Sequence, residues 1–170
     1  MRKPRKIEEG VSYHVVSRAN RKEYILNSLE IKEMFLQVLR EAKIKYSFSV
    51  KNFCIMGNHF HLVCKPLDGN NLSEIMQWIL SVFAIRFNRH FNLHGHVWYD
   101  RFKSKIIKSF MQYITTFIYI ANNPVQANIT TDAISYDYNG ITFLHKGILD
   151  ILERPPNDFL KLVWKKLNKQ

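Results

Sequence analysis

Two histidines separated by one bulky apolar residue, in the run Asn58-His59-Phe60-His61-Leu62-Val63, constrain the fold of this chain more than any other feature. The run suits a pleated, half-buried surface and reads as a β-strand. Side chains on a strand alternate faces, so His59 and His61 point one way while Phe60 points into whatever the sheet packs on. The segment before it, Tyr46 to Met56, reads as a second strand, and Gly57-Asn58 suits a two-residue hairpin turn with glycine first. Pairing then runs 56 with 59 and 54 with 61, and Pro66 stops the returning strand. The same register puts Cys54 on the histidine face and Cys64 on the opposite one. The chain's two cysteines are therefore not cross-strand neighbours and do not pair. Reduced thiols fit a cytoplasmic protein.

The remaining elements follow from periodicity. Val11 to Arg18 alternates and reads as a first strand. Asn27 with Glu30 gives a capping box, and Ile31, Met34, Phe35, Val38, Leu39 and Ala42 recur behind it at helical spacing. After the loop Asp68-Gly69-Asn70-Asn71, a second helix carries Leu72, Ile75, Met76, Ile79, Val82 and Phe83 on one face. Arg101 to Lys108 reads as a fourth strand with Arg101, Lys103 and Lys105 on one side. Ser109 with Gln112 opens a third helix that must end near Pro124. The order β-α-β-β-α-β-α predicts an α+β fold: a ferredoxin-like split βαββαβ antiparallel sheet with an added C-terminal helix that bears Tyr119. Helices on one face of such a sheet leave the other free to work. Apolar residues persist from Gly140, Pro155-Pro156 interrupts them, and Asn157 or Asp158 is placed to cap a last helix. We divide the chain into a basic arm (1–9), a sheet domain (10–130) and a C-terminal helical extension (131–170) of open role.

Charge narrows the function. The chain has 25 Lys and Arg against 14 Asp and Glu, a formal charge of +11, and this excess points to nucleic acid. No stretch approaches the ~20 apolar residues of a membrane span. The third helix carries one polar stripe, Gln112, Thr115, Thr116, Tyr119, Asn122 and Asn123, beside an apolar face of Phe110, Ile114, Phe117, Ile118 and Ala121. Tyr119 and Asn123 are neighbours at i and i+4. Paired imidazoles on a rigid strand suit a divalent metal, and a helix presenting a phenol beside an amide could deliver a nucleophile and a third ligand together. Each feature also has an ordinary reading: surface strand histidines, a half-buried tyrosine, a helix C-cap before proline. His94-Gly95-His96 has the same spacing as the first pair in a loop-like setting.

The combination is more specific than its parts. The run Met56-Gly57-Asn58-His59-Phe60-His61-Leu62-Val63 resembles the HUH signature of single-tyrosine transposases. Tyr119-Ile120-Ala121-Asn122-Asn123-Pro124-Val125-Gln126-Ala127 resembles the Tyr-x-x-x-Asn-Pro-Val-x-Ala signature of the same group. Tyr13-His14-Val15-Val16-Ser17-Arg18-Ala19-Asn20-Arg21 and Val97-Trp98-Tyr99-Asp100-Arg101-Phe102-Lys103-Ser104 add supporting matches. The likeness, nearest to the REP-associated tyrosine transposases, covers residues 10–130. Gly57 stands where proline is expected, and Ala19 where glycine is usual.

The resemblance implies that His59, His61 and Asn123 bind a divalent cation, Mg2+ or Mn2+, and that Tyr119 attacks a scissile DNA phosphate to give a 5′-phosphotyrosine. It implies a single-stranded or hairpin DNA partner from palindromic element ends, no membrane, and a cytoplasmic protein of the bacterial nucleoid. It leaves a homodimer open, because some relatives exchange the tyrosine helix and others act alone. Arg18, Arg21, Arg101, Lys103 and Lys105 are the expected phosphate contacts, and Trp98 and Tyr99 are candidates for base stacking. The main alternative is a noncatalytic nucleic-acid-binding module of the same fold. A metal hydrolase using water is another; it would leave no protein–DNA adduct.

Overall fold

The computed structural model describes residue 8 and residues 10–167. The basic arm therefore lies outside the described residues apart from Glu8. Four strands, β1 (Ser12–Arg18), β2 (Phe48–Ile55), β3 (His59–Pro66) and β4 (Lys103–Ile107), form one sheet in the order β2-β3-β1-β4. Every adjacent pair is antiparallel. β1 and β2, joined through helix α1 (Leu29–Lys45), are thus parallel with β3 between them. β3 and β4, joined through α2 (Leu72–Phe91), likewise enclose β1. Each βαβ unit is split by a strand of the other, as the element order predicts.

The hairpin register is the expected one, with Cys54 opposite His61 and Met56 N donating to His59 O at 2.9 Å. Gly57 serves a different purpose from the one predicted. It has no left-handed φ; a β-carbon there would come within 2.7 Å of Tyr24 Cδ1. The turn is held from outside, since Gly57 O accepts from Leu26 N and Asn58 O from Ala19 N. Ala19 is extended at φ −60° and ψ 150°, a conformation that makes no demand for glycine.

Helices α1 and α2 cover one face. Tyr13, Val15, Phe53, Ile55, Phe60 and Leu62 from the sheet meet Phe35 and Leu39 of α1 and Ile79 and Phe83 of α2 in the main core. Ser28, not Asn27, caps α1: its hydroxyl accepts from Ile31 N, while Asn27 O accepts from Lys32 Nζ. Neither α1, α2 nor any other helix among the described residues is long and apolar enough to cross a membrane.

The opposite face is only half free. Helix α3 (Phe110–Ala121) starts at Ser109, whose hydroxyl accepts from Gln112 N, and lies over the β2 side of the sheet. The chain then kinks at Asn122 and enters a short helix, α4 (Asn123–Gln126), with Pro124 in its first turn, where the missing N–H is harmless. The C-terminal region buttresses this arrangement. Ile141 of α5 (Gly140–Lys146) and Phe159 and Val163 of α6 (Asn157–Leu167) pack with Ile114, Phe117 and Ala121 of α3. Asn157 and Asp158 fall inside the first turn of α6 rather than before it; Pro156 O accepts from Leu160 N. The exposed edge of β2 is covered by the same region, with Ile55 N donating to Tyr138 O and Glu153 N to Val50 O.

Two buried asparagines fasten α3 to this scaffold. Asn52 Nδ2 donates to Phe117 O at 3.1 Å and Asn139 Nδ2 to Ala121 O at 2.8 Å. A β-carbon at Gly140 would collide with Asn52 Oδ1, which is itself the acceptor for Phe53 N.

Candidate active site

Strand register alone assembles the first part of the site. His61 pairs with Val16 and His59 with Arg18 across β3 and β1, while Lys103 pairs with Val16 and Lys105 with His14 across β1 and β4. Residues directly opposite share a face, and so do those two apart on one strand. His14, Val16, Arg18, His59, His61, Lys103 and Lys105 therefore lie on the face that α1 and α2 leave open. Helix α3 forms the second wall. Between them runs a cleft of about 990 Å³, lined by those residues and by Arg21, Tyr99, Arg101, Gln112, Thr115, Thr116 and Tyr119.

All five expected phosphate contacts border this cleft, together with Tyr119, His59 and His61. Tyr119 is 44% exposed and its ring stands edge-on to His61, with ring centroids 5.5 Å apart. It meets the histidines of its own chain. His59 and His61 are themselves edge to face at 5.1 Å. Asn123 is buried at the kink after α3, and its side chain hydrogen-bonds His59. The four residues that the motifs singled out therefore converge. Gln112, Thr115 and Thr116 continue the polar stripe into the cleft, while Asn122 and Asn123 turn inward.

Two aromatic residues that the sequence treats alike separate here. Trp98 packs among Phe35, Phe60 and Phe83, and its Nε1 donates to Leu80 O. It belongs to the core. Tyr99 is 73% exposed on the cleft rim, on a segment tied to β1 through Tyr99 N and Arg18 O. The loop histidines His94 and His96 are exposed and line no part of the cleft.

The sequence did not single out His14. Its Nε2 lies 2.9 Å from His61 Nδ1, the two rings stack at 5.2 Å, and Tyr119 is edge-on to it at 6.2 Å. The signal was the alternation of β1, but it means nothing until β1 is known to pair with β3.

Electrostatics keep the imidazoles neutral. Burial, and then the repulsion that His59 and His14 would exert if protonated, pull His61 down to about 3. Burial and nearby Lys105 pull His14 to about 4. His59 is lowered by burial and by Arg18, against the opposing effect of its hydrogen bond to Asn123. Neutral imidazoles keep the lone pairs that a metal needs. Asn58 Oδ1 lies 2.7 Å from His59 Nδ1, so both histidine rings have one nitrogen engaged by a neighbour, the usual support for a metal-ligating histidine. Among the described residues no three His, Cys, Asp or Glu side chains form a ready cluster for a metal ion. A cation at the two imidazoles would take a neutral oxygen as its third protein donor, and the Asn123 carboxamide is beside them. The donor set thus fits a divalent ion, without any carboxylate to offset its charge.

A family model described as transposase, IS200 like, matches residues 8–123, a span that takes in all four convergent residues. No curated protein matches the chain. One similar solved structure is described as a REP-associated tyrosine transposase bound to a REP hairpin. It is 18% identical over 91% of this chain and 90% of that one, with a TM-score of 0.72. Another is a crystal structure of a candidate transposase from Deinococcus radiodurans R1, 15% identical over 69% of this chain and 95% of that one, with a TM-score of 0.51. At such identities the likeness concerns the fold, an α+β arrangement with an open antiparallel sheet.

Proposed function

This chain belongs to the IS200-like transposase family, and we propose that it is a metal-dependent nuclease that cleaves and rejoins single-stranded or hairpin DNA through a 5′-phosphotyrosine on Tyr119. The observation that carries this reading is the exposed Tyr119 ring beside His61 on the wall of a cationic cleft. Tyr113, on the same helix and closer to its start, makes the contrast. Its ring packs on Phe159, and burial raises its phenol further from ionisation.

In the proposed reaction the Tyr119 phenolate oxygen bonds to phosphorus. The bond from phosphorus to the 3′-oxygen breaks, and that oxygen leaves as a hydroxyl after taking a proton. The tyrosyl ester keeps the energy of the broken bond, so attack by another 3′-hydroxyl rejoins strands without ATP and releases the phenol. His59, His61 and Asn123 would hold the cation, which when bound supplies Lewis-acid withdrawal of charge from a nonbridging oxygen and favours the phenolate. Imidazole donors fit Mn2+ better than Mg2+.

The rest of the cleft serves the strand. Arg18, Arg21, Arg101, Lys103 and Lys105 neutralise phosphates, and Tyr99 offers a face to an unpaired base. A duplex hides its strand from such a cleft, whereas an unpaired strand can lie along it. The hairpin bound by the structurally similar transposase makes a hairpin-bearing strand the substrate to try first. Because Tyr119 lies beside the histidines of its own chain, the reading needs no exchange of helices in a homodimer. The site of action is DNA in the cytoplasm.

The test is incubation of the protein with a labelled, hairpin-bearing single strand and Mn2+, followed by denaturing electrophoresis. A denaturation-resistant adduct is expected, lost in Tyr119→Phe by at least about a thousand-fold and weakened in His59→Ala. Binding without an adduct would mean a noncatalytic module; cleavage without one would mean water is the nucleophile.

A further inference from the structure

His14 has no place in the reaction proposed above, yet it is the ring most intimately placed on a residue that does. Its Nε2 is 2.9 Å from His61 Nδ1, and the rings stack with an interplanar angle of 25°. A neutral imidazole carries one N–H and one lone pair, and the hydrogen bond at one nitrogen decides which the other becomes. Two arrangements satisfy this contact. If His14 Nε2–H donates, His61 carries its proton on Nε2, and neither of its nitrogens has a lone pair left for a cation. If His61 Nδ1–H donates, His61 Nε2 keeps a free lone pair. Of the two, only the second leaves His61 able to bind a cation, and we infer that His14 is a positioning residue: carrying its own proton on Nδ1, it accepts the Nδ1–H of His61 at Nε2, selects that tautomer and turns His61 Nε2 into a metal-binding nitrogen. The inference rests on the reading of His61 as a ligand.

The surroundings support this assignment. His59 has its own Nδ1 engaged by Asn58 Oδ1, a side-chain oxygen that accepts, so the same tautomer is selected there by a different partner. The site thus treats its two histidines in parallel, Asn58 behind one and His14 behind the other. His14 is fixed by its place in β1, opposite Val63 on one side and Lys105 on the other. His61 is 5% exposed, so water is poorly placed to substitute for the missing acceptor. A free imidazole in water favours the proton on Nε2, so selection of the other tautomer needs a cause in the protein.

The experiment uses the full-length protein labelled with 15N at histidine. Long-range 1H–15N spectra without metal report the tautomer of His61, and Mn2+ titration followed by electron paramagnetic resonance reports affinity. The wild type is expected to show the Nδ1–H form at His61. In His14→Leu, which cannot accept, His61 reverts to Nε2–H and Mn2+ affinity falls by about 10- to 100-fold. In His14→Glu, which can only accept when ionised, the Nδ1–H form is retained and affinity recovers. An Nε2–H signal in the wild type, or an unchanged Nδ1–H signal in His14→Leu, would overturn the inference. His14→Glu also keeps it testable should His14→Leu fail to fold: an Nε2–H signal at His61 in that variant would overturn it too. Absence of Mn2+ binding in a wild type that shows the Nδ1–H form would instead count against His61 as a ligand, a failure of the proposed function rather than of the tautomer selection.

Discussion

On the helix-covered face of the sheet, Tyr13, Val15, Phe60 and Leu62 are each no more than 1% exposed. On the other face, one residue away along the same strands, stand His14, Arg18, His59 and His61, with Lys103 and Lys105 on the neighbouring strand. The covered face does what apolar burial does, and it gives the chain a rigid sheet. The open face concentrates imidazoles and cations: Arg18, Lys103 and Lys105 stay exposed, whereas His61 is buried against His14 with its Nδ1 hydrogen-bonded. The difference shows that a cleft face rich in imidazoles and cations can be built without disturbing a core, provided that the strand period separates the two.

The sharpest way to break this comparison is to cross it at adjacent positions. Phe60→Ala removes a fully buried ring packed on Phe35 and Trp98 and is expected to cost about 3–5 kcal/mol in a denaturant melt. His59→Ala, one residue before, is expected to cost under about 1 kcal/mol while impairing adduct formation. Equal stability losses at both positions would deny the division of labour.

Asn139→Ala probes the wall of the cleft. It leaves Ala121 O without its donor and is expected to cost about 1–3 kcal/mol, with increased hydrogen exchange toward the end of α3. Exchange unchanged in α3 would mean that the C-terminal region does not hold the tyrosine helix.

Acid separates the faces in another way. His14 and His61 remain neutral in the fold down to about 4 and about 3, whereas in the unfolded chain they take up protons below their ordinary 6.5. Between those limits the unfolded state binds more protons, so stability falls as pH drops below about 6.5 and is flat in these groups above it. His61→Ala is expected to flatten part of that slope, measured as melting temperature against pH; Phe60→Leu is expected to leave it unchanged.

The smallest effect is expected at the rim. Lys105→Ala should weaken single-strand binding uniformly across sequences. It should also reduce the slope of log affinity against log salt by about 0.7, read by fluorescence anisotropy.

Much of this arrangement is legible in the amino-acid order, and the exceptions share a cause. The hairpin register, the histidine face, the free cysteines and the Ser109 cap follow from local alternation and capping chemistry, which need no knowledge of distant segments. What escaped depends on contacts across the fold. The tight approach of Tyr24 explains Gly57, and β1–β3 pairing makes His14 a neighbour of His61. Trp98 and Tyr99 are adjacent and both aromatic, and only the core's geometry assigns one inward and one outward. Beyond residue 130 the motifs stop, but α5, α6 and Asn139 hold the helix on which Tyr119 stands.

Three exposed phenols among the described residues compete for the role of nucleophile: Tyr24 at 72%, Tyr99 at 73% and Tyr119 at 44%. Exposure favours the first two, and Tyr99 even borders the same cleft; proximity to the paired imidazoles favours Tyr119. The most direct measurement is therefore mass-spectrometric mapping of the DNA-linked peptide after reaction with a hairpin-bearing strand and Mn2+. A nucleotide joined through its 5′-phosphate to Tyr119 is expected; attachment to Tyr99 or to any other residue would refute Tyr119 as the nucleophile.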